Sequence, residues 1–179
     1  MSLPAKRLDR DRVDFSNHIT EKEVEQLVSD PDIRTLQCSS PVELDTWDLL
    51  NRKLFSQRPE IELRVYGFYS RVCDLSFVSR VGSVRRFAAD CLRQATGVEH
   101  ISQLERLEEL SIGIYSLDSF DFLMQSALVT SNVRSVFCGL SPFPLRNPLP
   151  LFAFFAFISF LPTMSREASR FMPFSSFQA

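Results

Sequence analysis

Only five glycines occur in the 179 residues, and none falls in a G-x-G-x-x-G or P-loop arrangement. This removes the backbone loops that cradle phosphates in nucleotide-dependent enzymes, and no G-x-S-x-G elbow offers a serine nucleophile. Cysteine is equally sparse: Cys38, Cys73, Cys91 and Cys138 lie 35, 18 and 47 residues apart, so no close pair forms a zinc knuckle or a redox dithiol. There is no long run of Lys or Arg, and a net charge of -2 with a pI near 5.7 gives no general attraction to phosphate backbones. Nucleic acid is therefore not an expected partner. The first twelve residues lack an apolar stretch and carry Lys6, Arg7, Asp9, Arg10, Asp11 and Arg12, which excludes a secretory signal there. A reducing, cytoplasmic setting is the expectation.

What the chain does have is a core's worth of apolar residues, 45% against 23% charged, which suits one folded domain and excludes a wholly disordered chain. Their spacing is unusual. Leu75, Val78, Val81, Val84 and Phe87 recur every third residue, as do Val98, Ile101, Leu104, Leu107 and Leu110. A helix repeats at 3.6 and a strand at 2, so a sustained beat of three points to stacked turns of partly 3₁₀ character. Each beat ends in an alternation, Phe87-x-Ala89 and Leu110-x-Ile112, which marks a short strand with one buried face.

The same shape recurs at Ile33-x-x-Leu36-x-Cys38, partly at Leu63-x-Val65, and more weakly at Val133-x-x-Val136-x-Cys138 and Val13-x-Phe15. Aligning them places equivalent residues at 13, 36, 63, 87, 110 and 136, with intervals of 23, 27, 24, 23 and 26. Over about residues 10–140 the chain thus resembles the leucine-rich repeat family, whose units run about 20–29 residues with one strand each. The resemblance implies an α/β solenoid: a stack of about five short parallel strands with N-terminal helical units and an irregular C-terminal tail. It also implies protein binding on the strand surface. At the family's asparagine-ladder position this chain carries Leu92 and Tyr115 instead.

Thr20 and Glu23 form a capping box that opens a helix reaching about Ser29, with Val24, Leu27 and Val28 as its buried stripe. Pro31 ends it. A second helix is expected from about Val42 to Ser56, with Trp47, Leu50 and Leu54 on one face. The division expected is 1–140 as the folded unit with its helical cap, and 141–179 as a separate Phe/Pro-rich segment. That segment holds nine of the 17 phenylalanines but only four charged residues, so it is not another repeat. Its apolar run 149–161 is too short to span a bilayer, which needs about 20 residues, and leaves an interfacial membrane contact as the alternative reading. Incomplete capping by this segment, with Phe152, Phe154, Phe155 and Phe157 partly exposed, would promote self-association.

No catalytic, cofactor or metal residues are expected. His100 follows Cys91 by nine residues, but Val98 and Ile101 take the inward positions beside it and leave it as a solvated turn residue. Cys38 and Cys138 occupy inward strand positions as small apolar side chains, and Trp47 reads as core. The informative residues point the other way. In the inferred register Arg12, Thr35, Glu62, Arg86, Glu109 and Ser135 form one outward ladder, and Asp14, Gln37, Arg64, Ala88, Ser111 and Phe137 the next. Ser16, Ser39, Tyr66, Asp90 and Gly113 form the third. Arg and Tyr dominate interface hot spots, so the expected partner-binding residues are Glu62, Arg64, Tyr66, Arg86, Asp90 and Glu109, facing an unidentified protein or peptide.

Overall fold

The computed structural model describes residues 5–117, 122, 135–139 and 155–158. Its main element is a mixed sheet of eight strands: β1 (Ala5–Arg7), β2 (Arg12–Asn17), β3 (Thr35–Val42), β4 (Glu62–Tyr66), β6 (Arg86–Leu92), β8 (Glu109–Ile114), β9 (Ser135–Gly139) and β10 (Phe155–Ile158), side by side in that order. β5 (Cys73–Asp74) and β7 (Ala95–Thr96) pair separately as a two-stranded parallel sheet.

This architecture corrects the expectation of a leucine-rich-repeat-like α/β solenoid built as about five parallel strands. The sheet is mixed and longer, with an antiparallel partner at each margin: β1 on β2 and β10 on β9. The physical reason lies in local turns and pairing that a repeat pattern does not encode. Leu8 and Asp9 both donate their amides to the Arg12 carbonyl, folding the charged first strand back along β2. β10 comes from the segment expected to stand apart as a tail. The expected partial exposure of Phe152 and Phe154 lies outside the described residues, as do the side chains of Phe155 and Phe157.

Between the margins the pairing is parallel. Val13 lies opposite Leu36, Leu36 opposite Leu63, Leu63 opposite Phe87, and Phe87 opposite Leu110. These five side chains are buried, and so are Phe15, Cys38, Val65, Ala89 and Ile112 two residues on. At about 1.5–3 kcal/mol for each large apolar side chain removed from water, these two inward ladders are a principal source of stability.

Short helices cover the buried face. α1 (Glu21–Ser29) starts at the Thr20 capping box, with Thr20 accepting from the Glu23 amide and Glu23 accepting from the Thr20 amide. It contributes Val24 and Leu27 to the core. α2 (Leu44–Leu50) runs on into a π-helical turn, Asn51–Phe55, and buries Trp47, Leu50, Leu54 and Phe55. Further along, 3₁₀ turns at Ser76–Arg80 and Val98–Gln103 take the place of α-helices. The three-residue beat is visible as successive i→i+3 bonds: Val78 to Leu75, Val81 to Val78 and Val84 to Val81, then Leu104 to Ile101 and Leu107 to Leu104.

Gly97 precedes the second of these turns with φ +68°, and a Cβ there would lie 2.8 Å from the Ser76 amide nitrogen. That nitrogen is backbone and cannot swing aside, while the left-handed conformation penalises any L side chain. Gly97→Ala is expected to destabilise the chain by about 1–3 kcal/mol, measured as a lower urea midpoint at unchanged slope. An unchanged midpoint would show that this turn relaxes freely.

Candidate functional site

The six residues expected to bind a partner stand on the outward, half-buried face of three adjacent strands. Glu62, Arg64 and Tyr66 alternate along β4, Arg86 and Asp90 lie on β6, and Glu109 lies on β8. Glu62 is opposite Arg86, Arg86 opposite Glu109, and Tyr66 opposite Asp90. Adjacent rungs are about 4.8 Å apart, within reach of one another's side chains.

Arg64 is held from two sides. Its Nε donates to Asp90 Oδ2 at 3.0 Å, its Nη1 reaches Gln37 Oε1 at 3.4 Å, and its guanidinium lies 4.5 Å above the Tyr66 ring centroid. The network extends both ways across the sheet. Ser111 Oγ donates to Asp90 Oδ1 at 3.3 Å, while Gln37 Nε2 donates to Asp14 and Ser39, and Ser39 Oγ donates to Asp14 at 2.8 Å. A second group forms beside it: Arg86 Nε and Nη2 both address Glu109 Oε2, at 2.7 and 2.6 Å.

Four participants that the sequence reading did not select thus belong to the face: Asp14, Gln37, Ser39 and Ser111. Their signal was positional, since each stands on the outward ladder positions of its strand. Tyr69 had no such signal. Gly67, at φ +78°, turns the chain just after β4 and brings Tyr69 back to Tyr66, with ring centroids 6.4 Å apart and the two hydroxyls at 3.4 Å.

Glu62 is the exception within this paired set. Burial pushes its carboxyl above the usual range, Asp90 and Glu109 push the same way, and Arg64 and Arg86 only partly offset them. A carboxyl that binds its proton more tightly when folded adds stability below the ordinary carboxylate range. That contribution disappears as pH rises through the raised folded value. Glu62→Gln is accordingly expected to gain stability relative to the parent chain between mildly acidic and neutral pH, with the gain shrinking toward pH ~4. Denaturation midpoints of both proteins across pH 4–8 check this; a difference that grows on acidification would refute it.

The opposite side of the fold carries a cleft of about 200 Å³, lined by Val42, Leu44, Trp47, Phe68, Val72 and Cys73 among others. Two thiols stand in its walls. Burial drives the Cys38 thiol well up, with Cys73 and Asp14 adding to it, and burial followed by Asp74 pushes Cys73 to about 12. Burial thus favours the protonated thiol at both positions, which disfavours nucleophilic attack. Among the described residues no group of three His, Cys, Asp or Glu side chains converges as a metal site. His100, expected to be solvated, is half-buried, and its Nδ1 is covered with no hydrogen-bond partner among the described residues. The two ladder-breaking residues differ: Leu92 is fully buried and Tyr115 half-buried.

The fold and face together define a mixed-sheet protein with a side-chain network laid across its open surface. Compared with protein-family models, curated proteins and solved structures, the chain matches none of them. Among the described residues no helix is long and apolar enough to cross a membrane.

Proposed function

We propose that the chain is a non-enzymatic binding module that holds a protein or peptide on the outward face of its sheet. The observation that carries this reading is the immobilised Arg64, fixed by Asp90 and Gln37 and stacked on Tyr66. Association costs free energy for every flexible side chain it freezes, about 0.5–1.5 kcal/mol each. A face whose Arg and Tyr residues are already held avoids much of that cost, and these are the residue types enriched in hot spots. The cytoplasmic setting belongs to the same reading, supported by the buried free thiols Cys38 and Cys73.

The test is affinity capture with quantitative mass spectrometry, comparing the parent chain with Arg64→Ala/Tyr66→Ala/Arg86→Ala and with Arg52→Ala/Lys53→Ala on the helical side. Loss of the same captured protein only in the first variant is the expected result. Identical recovery from all three would remove this face from consideration.

A further inference from the structure

The sheet face carries seven charged groups along its outward ladders: Arg12, Asp14, Glu62, Arg64, Arg86, Asp90 and Glu109. Every guanidinium among them already has a carboxylate. Arg12 pairs with Asp9, Arg64 with Asp90 and Arg86 with Glu109. Two carboxylates are left over. Asp14 is held by the neutral donors Ser39 and Gln37, and Glu62 forms no ion pair among the described residues although it lies opposite Arg86. An anionic ligand would have to displace Asp90 or Glu109 from a bound arginine, whereas a cationic one meets a carboxylate with no opposing charge in contact. The chemistry of the face is therefore asymmetric despite its near-balanced count.

Resting on the strand-face reading above, we propose that the occupant is an extended peptide segment bearing two Lys or Arg side chains, one seated on Glu62 and the other on Asp14. Glu62 lies two strands from Asp14 and two residues toward the strand start, because Asp14 is in register with Gln37 and Gln37 with Arg64. Strand spacing of about 4.8 Å and a rise of about 3.3 Å per residue put the two Cα positions about 12 Å apart. An extended peptide covers that distance in about four residues, and positions four apart point to the same side. The path crosses β3 between Thr35 and Gln37, where the Arg64 guanidinium reaches Gln37 Oε1 but stays committed to Asp90. Burial, then Asp90 on β6, raises the proton affinity of Glu62, Arg64 on its own strand and Arg86 on β6 lower it, and Glu109 on β8 raises it.

Three fluorescein-labelled Gly/Ser peptides of nine residues test this, with Lys, Glu or Ser at positions 3 and 7, read by fluorescence anisotropy with the full chain at ~50 mM salt. The Lys peptide is expected to bind and the Ser peptide not. Glu62→Gln and Asp14→Asn should each weaken binding about fivefold, as for a modestly exposed ion pair. Asp45→Asn on exposed α2 surface should leave it unchanged, and Glu62→Asp should retain part of it. Circular dichroism confirms that each variant remains folded. Lys-peptide binding that ignores Glu62→Gln and Asp14→Asn overturns the proposal, as does failure of the Lys peptide to bind at all. Binding of the Glu peptide instead, abolished by Arg64→Ala/Arg86→Ala, also overturns it but leaves the strand-face reading standing. That reading falls only if capture of a partner is indifferent to the face.

Discussion

Replacing Trp47 with alanine is expected to lower the unfolding free energy by about 3–5 kcal/mol, the range for deleting a large buried aromatic. Trp47 is the only tryptophan and is 2% exposed. Its ring stacks on Phe77 with centroids 4.0 Å apart and an interplanar angle of 11°, and meets Phe15 edge-on at 5.6 Å. It therefore joins three elements at once: α2, the β2 ladder and the first 3₁₀ turn. It also walls the 200 Å³ cleft, so its removal enlarges an existing void rather than opening one that neighbours could close. A domain of this size has about 5–15 kcal/mol in total, and the variant should sit close to its unfolding threshold. Urea denaturation followed by circular dichroism measures the loss, since the fluorescence probe goes with the residue. Trp47→Phe should retain most of the stability; a loss below about 1 kcal/mol for Trp47→Ala would mean that Trp47 is not a keystone of the core.

The parts of this structure that the sequence revealed are those governed by burial. Every third residue from Leu75 to Phe87 is buried, and the aligned positions 13, 36, 63, 87 and 110 stand opposite one another across the sheet. An apolar residue records its inward direction in its identity, so spacing alone recovers register. Strand direction at the margins is a different kind of fact. β1 is Ala-Lys-Arg, which shows no apolar alternation, and its antiparallel pairing depends on a turn closed by main-chain bonds to Arg12. The candidate site divides in the same way. Placing Glu62, Arg64, Tyr66, Arg86, Asp90 and Glu109 together needed only the register. Which carboxylate each arginine takes depends on side-chain reach, and there the ladder was silent: Arg86 is opposite both Glu62 and Glu109 yet pairs with Glu109.

Arg58 was invisible to spacing altogether, and its replacement by methionine is the second change expected to be severe, at about 2–4 kcal/mol. α1 has no basic residue in its last turn to answer the carbonyls left unbonded at its end. Arg58, 30 residues downstream of Val28, supplies the missing donors: Nη1 donates to the carbonyls of Val28 at 3.0 Å and Asp30 at 2.9 Å, and Nη2 to that of Ile33 at 3.2 Å. Its Nε pairs with Glu60, and its side chain is only 15% exposed. Methionine preserves much of the apolar stem while removing every donor, so three sequestered carbonyls lose charged partners that are worth about 1.5–3 kcal/mol singly and less than additively together. Those carbonyls span the end of α1 and the lead-in to β3, so the damage should be local as well as global. Amide hydrogen exchange in Arg58→Met is expected to accelerate first between residues 27 and 36, before the β4 and β6 ladder amides respond. Arg58→Lys, with one compact ammonium in place of a planar fork, should recover only part of the loss. A Met variant with exchange rates unchanged in that segment would show that water replaces the guanidinium at little cost.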